Sequence, residues 1–301
     1  MPTGLSELGP EQLDRMTDTM TDAEISAQFG LSRTAATHAR NRYGIRSFAE
    51  KHGQRKYKEY YEPKPNAQRV FSLKRMGVNT RYFESLTSPS QAYWLGLLLA
   101  DGWIVTEHDD PRGFAIALHV RDKKLLDQFA QDLGYSGLVK PERAGSRLLQ
   151  IKVSSVEMAN NLISLGMPPR KSKILEIPEL KKDLMPHLVR GYFDGDGHVG
   201  IRGNSLTVQF TSGSLAALER LLFHLRSEAG ARMSIHHDRN AYVLRAYAGH
   251  AIKTLAYMYG THGEYLPAME RKLQKFHDYL ESDAGRSWRR LLSREDSASS
   301  R

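Results

Sequence analysis

Two stretches of this chain are built alike, and each confines its part of the fold to an apolar helix. The first runs from Tyr93 to Trp103 and the second from Leu188 to His198. Each contains a glycine followed four residues later by another small residue, and the two pairs are Gly96 with Ala100 and Gly191 with Gly195. A spacing of four places both small residues on one helical face, so two such helices can approach closely. The sequence therefore predicts a tightly packed helix pair.

Each helix is expected to end at an Asp-Gly pair, with the glycine in the left-handed conformation that is common at helix ends. If the helices pack along their small faces, Asp101 and Asp196 lie together at one end. Neighbouring carboxylates repel each other unless a proton or a hard divalent cation lies between them. The two acids are therefore candidate metal ligands.

These stretches resemble the signature of the LAGLIDADG homing endonucleases. The residues that match in register are Gly96, Ala100, Asp101 and Gly102 in the first copy, and Gly191, Gly195, Asp196 and Gly197 in the second. Neither copy keeps the first letter of the signature, and Leu99 replaces the first of its two acids in copy one. A single apolar helix ending in Asp-Gly is common, whereas two copies 95 residues apart in a basic chain are specific.

The rest of the chain predicts an α+β fold of two pseudo-symmetric αββαββα repeats packed through their motif helices, with a small all-α N-terminal domain. Phe210–Ser214 aligns with Leu118–Asp122, so the repeat extends beyond the motifs. The predicted parts are residues 1–46 as a helix-turn-helix-like domain, 47–87 as a basic linker, 88–182 as the first repeat, 183–285 as the second repeat, and 286–301 as a polar tail.

The N-terminal residues predict two helices. Thr21 and Glu24 form a capping box for the first helix, and Ser32 caps the second after a turn at Gly30. This pattern resembles a helix-turn-helix. Its candidate DNA contacts are Arg33, Thr34, Thr37, His38 and Arg40. A helical cap without DNA contact is the alternative.

Charge favours a polyanionic partner. The chain has 43 Lys and Arg against 34 Asp and Glu, a net charge of +9, and +7 of it lies between Arg46 and Arg81. Such a segment is either a solvated linker or a strap along phosphates. The absence of cysteine excludes a disulfide scaffold, a thiolate metal site and a cysteine nucleophile. There is no signal peptide pattern and no apolar run long enough to span a membrane, so a cytoplasmic, nucleic-acid-associated protein is expected.

The predicted strands have one apolar and one polar face. The polar side chains are of the types that contact base edges, and the candidates are His119, Gln150, Lys152, Thr207, Gln209, Thr211, Arg232, Ser234, His236 and Arg245. An ordinary antiparallel sheet also has a solvated polar face, so this pattern gains weight only from the repeat.

The resemblance also implies the chemistry. Asp101 and Asp196 would bind Mg²⁺, with Mn²⁺ able to substitute. The remaining implied groups are the backbone carbonyls of Ala100 and Gly195 as further metal ligands, Lys171 and Lys272 beside the scissile phosphates or attacking water, and Gln209 as an organiser of solvent. Asp194 is expected to be structural. The histidines show no metal-ligand spacing, which disfavours His-metal nucleases.

The function implied is that of a monomeric intron-homing type of enzyme, which binds a long double-stranded DNA site and cuts both strands to leave short 3′ overhangs. A non-catalytic DNA-binding regulator or an RNA-splicing maturase could use the same scaffold. A structural two-repeat α/β protein is the third possibility.

Overall fold

The structure is a computed structural model that describes residues 9–31, 35–48, 51, 77–136, 139–260, 266–289 and 292. The chain forms two compact units, Met1–Glu62 and Pro63–Arg301. Each has a hydrophobic cluster of its own. Most of the predicted linker and polar tail lies outside the described residues.

The first unit has three short helices, α1 (Pro10–Met16), α2 (Asp22–Gln28) and α3 (Ala35–Arg42). Thr21 and Glu24 form the predicted capping box of α2. The helices meet at the buried side chains of Leu13, Ile25 and Ala36. The sequence did not indicate α1, and the predicted cap Ser32 lies outside the described residues together with Arg33 and Thr34.

Two of the predicted DNA contacts hold α3 onto α2. Asp22 accepts hydrogen bonds from Thr37 Oγ1 at 2.7 Å and from Arg40 Nε at 2.8 Å. The Arg40 side chain is only 11% exposed, so little of its guanidinium is accessible to a ligand. His38 remains exposed. The three-helix arrangement by itself does not establish a helix-turn-helix.

The second unit repeats one succession of elements. The first copy is α4 (Pro89–Asp101), β1 (Gly102–Glu107), β2 (Asp110–His119), α5 (Lys123–Asp132), β3 (Lys140–Pro141), β4 (Leu148–Val153) and α6 (Val156–Ser164). The second copy is α7 (Met185–Asp196), β5 (Gly197–Arg202), β6 (Ser205–Ser212), α8 (Leu215–Ser227), β7 (Ser234–Asp238), β8 (Ala241–Tyr247) and α9 (Ala248–Tyr259). A further helix, α10 (Glu270–Glu281), was not predicted.

Each repeat forms one four-stranded antiparallel sheet, in the order β1-β2-β4-β3 or β5-β6-β8-β7. One cluster of buried side chains joins the two repeats. The α+β fold of two αββαββα repeats is therefore confirmed. Ser88 caps the first motif helix through a capping box with Gln91, and Pro89 is the first residue of that helix.

The strand register corrects the alignment of the two repeats. The motif glycine pairs with the next strand in both, as Gly102 with Ile116 and Gly197 with Phe210. The counterpart of Gln209 is therefore Ala115, whereas the sequence alignment pointed to Ala117. The alignment was two residues out because only the first repeat inserts a short 3₁₀ turn, Val120–Asp122, between its second strand and the following helix.

The motif helices α4 and α7 pack backbone to backbone. A Cβ atom added to Gly96 would lie 2.0 Å from the carbonyl oxygen of Leu188, and one added to Gly191 would lie 2.0 Å from that of Tyr93. The two contacts are reciprocal, since each glycine lies three residues after the carbonyl that the other glycine touches. The predicted close helix pair is confirmed.

The helix ends differ from the prediction. Gly102 and Gly197 have φ of −85° and −99° with ψ of 166° and 163°, which is extended rather than left-handed backbone. The chain passes directly from each helix into a strand. A Cβ atom on Gly102 would lie 2.7 Å from the oxygen of Leu98, and one on Gly197 would lie 2.4 Å from that of Phe193. Glycine is needed for space at these two positions.

We expect a glycine that contacts a side chain and a glycine that contacts a backbone carbonyl to respond differently to a second, compensating substitution. A Cβ atom on Gly195 would meet the Ala100 methyl at 2.3 Å, which is a side chain that can be removed. Gly195→Ala should cost about 2–3 kcal/mol of unfolding free energy through overpacking, and Ala100→Gly in the same chain should recover much of it. The stability lost in Gly191→Ala should not be restored by any side-chain substitution, because the added methyl group would meet the backbone carbonyl of Tyr93. Urea unfolding of the three variants tests this, and equal losses in all three would contradict it.

Candidate active site

Helices α4 and α7 each end on an acid, Asp101 and Asp196. The carboxylate of Asp101 lies against the opposite helix, since a Cβ atom on Gly195 would be 3.1 Å from its Oδ2. Burial, and then the charge of Asp196, raise the pKa of Asp101 to about 6. The two motif acids are therefore close enough to act on each other electrostatically.

Asp196 is the more exposed of the two residues. Partial burial still raises the pKa of its carboxyl, and the positive charges of Lys171 and Lys272 oppose that shift. Within the described residues, neither Asp101 nor Asp196 has a hydrogen bond or an ion pair with a side chain or backbone group. A largely buried carboxylate such as that of Asp101 is unfavourable without a partner, and the neighbouring charge of Asp196 adds repulsion, so a divalent cation between them would stabilise both.

Lys171 reaches this end of the helix pair from the first repeat. Its Nζ donates to the backbone oxygen of Ala100 at 2.8 Å. Burial lowers its pKa, and the negative charges of Asp196 and Asp101 oppose the shift. The predicted lysine is thus beside both acids. It also occupies the Ala100 carbonyl that was predicted as a metal ligand, so an ammonium group and a metal would compete for that oxygen.

Lys272 reaches the same end from the second repeat and is bound more firmly. Its Nζ donates to the backbone oxygens of Phe193 at 2.6 Å, Asp194 at 2.8 Å and Gly197 at 2.5 Å. Burial lowers its pKa to about 8, against the raising effect of Asp194. The positive charge of Lys272 therefore offsets the partial negative charge at the C-terminal end of α7. Its ammonium group donates to three acceptors, whereas that of Lys171 donates to one.

Asp194 is structural, as expected. It is fully buried and accepts hydrogen bonds from Tyr93 Oη at 2.7 Å, Tyr259 Oη at 2.5 Å and the Met269 backbone N–H at 2.6 Å. Burial raises its pKa, while Lys272 and these donors oppose the shift. Its carboxylate joins α7 to α4, to α9 and to the segment before α10. The first repeat has Leu99 at this position, in an apolar environment.

Arg271 was not predicted as a site residue. Its Nε is 3.1 Å from Oδ1 of Asp122, so the end of the second repeat is paired with the first repeat. Its charge also opposes the rise in the pKa of Asp101. The sequence signal was the Arg-Lys doublet that follows each repeat, beginning at Arg170 and at Arg271; a third such doublet begins at Arg55, outside the described residues. Arg170 makes a corresponding ion pair with Asp109 at 2.8 Å, on the surface.

The outer faces of the two sheets carry most of the predicted DNA-contacting residues. The half-exposed Thr207, Gln209 and Thr211 alternate with buried residues along β6, and Gln150 and the exposed Lys152 alternate with buried residues in β4. Ser234 and His236 are exposed in β7, with Ser234 Oγ 2.8 Å from His236 Nε2.

Two predicted contacts make local hydrogen bonds. Arg232 lies before β7, which begins at Ser234, and its backbone N–H donates to His250 Nδ1 at 3.2 Å. His119 caps the 3₁₀ turn, because its Nδ1 accepts from the backbone N–H of Arg121 at 3.2 Å.

Residues 184–260 match the family model described as a LAGLIDADG-like domain. Over these residues the chain is similar to that family. The matched segment contains α7 with Asp196 and the whole of the second sheet. The first repeat has the same order of helices and strands around its own motif helix. No curated protein sequence matches the chain.

Several solved homing endonuclease and meganuclease structures are similar to the chain. The crystal structure of the meganuclease I-AabMI bound to uncleaved DNA is 16% identical over 68% of this chain and 98% of that one, with a TM-score of 0.42. I-LtrWI bound to target DNA is 15% identical over 71% and 97%, with a TM-score of 0.42. I-WcaI bound to its DNA recognition sequence is 14% identical over 72% and 97%, with a TM-score of 0.43.

The described residues contain no helix that is both long enough and apolar enough to cross a membrane. They also contain no cluster of three or more His, Cys, Asp or Glu residues suited to a metal ion. Any cation at the end of the motif helices would therefore depend on the two carboxylates, backbone oxygens and water.

We expect Asp194 and its two tyrosines to be energetically coupled. Asp194→Asn keeps the shape but places an NH₂ group among donors, and should cost about 3 kcal/mol or more of unfolding free energy. Tyr93→Phe should cost about 1–2 kcal/mol alone and clearly less in the Asp194→Asn background. A double-mutant cycle by urea unfolding measures the coupling. Strictly additive losses would show that the hydrogen bond contributes nothing.

Proposed function

We propose that this protein is a site-specific double-strand DNA endonuclease that depends on a divalent metal ion. The observation that carries the proposal is the pair of unpartnered carboxylates, Asp101 and Asp196, at the shared end of the motif helices. Two lysines lie beside them and a sheet with a polar outer face follows each. A purely structural protein gains nothing from like charges at a tight helix interface.

The donor set fits Mg²⁺. This ion needs only one or two carboxylates and retains several of its waters, so Asp101 and Asp196 suffice without a further acid. Burial and the charge of Asp196 raise the pKa of Asp101 to about 6. A bound cation would oppose that rise, because it favours the ionised carboxylate. When bound, such an ion supplies Lewis-acid stabilisation of the phosphate and a more acidic water.

The chain itself supplies position and charge. In this proposal Lys171 and Lys272 face the two scissile phosphates and stabilise the negative charge that develops there. The pKa of Lys171 is lowered and its ammonium has one backbone acceptor, so it is the lysine suited to exchange a proton with an attacking water. The Ala100 carbonyl holds Lys171, and the carbonyl end of α7 holds Lys272, so both ammonium groups are oriented before DNA binds.

The proposed substrate is a long duplex. Each half of the site would lie under the outer face of one sheet, and Asp101 and Asp196 would serve one strand each, leaving short 3′ overhangs. Because one chain supplies both acids, a monomer suffices. The basic segment between Arg46 and Arg81 would contact phosphates outside the central site.

Neutralising either motif acid should uncouple binding from cutting. Asp101→Asn and Asp196→Asn should each retain binding to a selected duplex while cleavage of both strands falls by at least about 10³-fold, since each removes a carboxylate needed at the reacting phosphates. Selection and cleavage of a randomised duplex library in Mg²⁺ gives the measurement. Asp127→Asn, an exposed acid of α5 paired with Lys123, is the control.

Binding without cutting by the unmodified protein, in both Mg²⁺ and Mn²⁺, would refute the endonuclease. A DNA-binding regulator or a maturase would then be left, and RNA would be the next substrate to test.

Replacing either lysine should slow cleavage to a similar extent, but the two replacements should differ in their effect on the free energy of unfolding. Lys171→Met and Lys272→Met should each slow cleavage by about 10²-fold. Lys272→Met should also lose about 2–4 kcal/mol of unfolding free energy because it leaves three buried carbonyls without a donor, against about 1 kcal/mol for Lys171→Met. Single-turnover cleavage and urea unfolding report the two effects, with Lys123→Met as the exposed control. Unchanged cleavage in both variants would remove the lysines from the mechanism.

A further inference from the structure

The two sheets differ along one matched row of residues, which begins directly after the acid-bearing helices. In the second sheet, the residue after the motif glycine begins a row across all four strands, with His198 paired to Gln209, Gln209 to Arg245, and Arg245 to Ser234. In the first sheet the matched row is Trp103, Ala115 and Lys152. Both rows lie on the outer faces, directly after the acid-bearing helices.

Gln209 restrains Arg245. Its Oε1 accepts from Arg245 Nε at 3.2 Å and from Arg245 Nη2 at 3.0 Å. Its Nε2 donates to Thr211 Oγ1 at 3.4 Å, which fixes the orientation of the amide. The guanidinium has five N–H groups. With two of them bonded to Gln209, its terminal edge, formed by the two Nη atoms, keeps donors for a ligand.

A guanidinium presented by that edge matches one base. Guanine offers O6 and N7 as two adjacent acceptors in the major groove, and a two-stranded β-ribbon fits that groove. A restrained arginine loses less conformational freedom on binding than a free one. Lys152 differs, because within the described residues it has no hydrogen-bonding partner, and its neighbours in the row are apolar. An ammonium on a flexible stem acts as a point charge.

We infer that Arg245 reads a guanine in the target half under the second sheet, with Gln209 as its positioning residue, while Lys152 at the matched place contributes charge without base selection. The inference rests on the proposed function and adds an asymmetry to it. The two halves of the site would differ in sequence next to the cut, with guanine required on one side only. Gln209, predicted as a base reader and solvent organiser, acts here through Arg245.

Binding selection in Ca²⁺ tests the inference apart from cleavage. Full-length protein selects from a randomised duplex library, and the enriched site is then offered to the unmodified protein in Mg²⁺. A single guanine should be enriched, and its replacement should weaken binding about 5- to 150-fold. Arg245→Ala should abolish that preference at this position alone. Lys152→Ala should weaken all sequences equally and reduce the salt dependence by about one phosphate contact.

Variants of Gln209 test the positioning role. Gln209→Ala should blur the guanine preference although Arg245 is intact. Gln209→Glu keeps an acceptor for the guanidinium, so it should retain the preference even if overall affinity for DNA falls. Thermal unfolding checks that each variant keeps its fold. An unchanged preference in Gln209→Ala would remove its positioning role.

Other outcomes overturn the inference in distinguishable ways. If Arg245→Ala weakens every sequence equally, Arg245 binds phosphate and the inference is wrong. If a site is selected and cut but contains no guanine that depends on Arg245, only this inference fails. If no sequence is selected at all, specific DNA recognition fails, and the proposed function fails with it.

Discussion

The backbone contact between α4 and α7 is the constraint on which the rest of the structure depends. With Gly96 and Gly191 at the crossing, an added methyl group on either would lie 2.0 Å from a carbonyl oxygen of the partner helix. Only this separation brings the helix ends, and so Asp101 and Asp196, within electrostatic reach. The same contact joins the two repeats into one core, and the first strand of each sheet begins directly after one of the two acids. Fold and candidate site therefore share a single determinant.

The two repeats have the same order of helices and strands, but the side chains buried around their motif helices differ. The second repeat buries a polar network around Asp194, in which Lys272 and Arg190 are also buried and bonded to backbone oxygens. The counterpart of Asp194 is Leu99, which lies in an apolar core. Buried charges are costly unless every group is paired, and removing one partner is strongly destabilising. The polar half is consequently the one whose helix end and lysine are held most rigidly.

Reciprocal contacts between the repeats position the basic groups. The segment after Lys171 is held by the second repeat, where Ser214 Oγ donates to the backbone oxygen of Leu175 at 2.6 Å. The segment that contains Lys272 is held by the first repeat through the Arg271–Asp122 pair. Ser214 and Asp122 both stand at the N-cap of the helix that follows the second strand of their repeat. Each lysine is thus placed by its own repeat and anchored on the other.

Local patterns in the sequence were sufficient for the two motif helices, for two capping boxes and for the repeat, but not for α1 or α10. The capping boxes at Thr21 and Ser88, the small residues at a spacing of four, and the Asp-Gly ends each act within one or two turns. What the tertiary structure decided depends on partners far apart in the chain. The extended motif glycines and the two-residue shift in register depend on how each strand leaves its helix and pairs. Tertiary packing also decides which side chains meet, as Arg40 does with Asp22 and Arg245 with Gln209. A single sequence does not show which of its distant residues lie close in space.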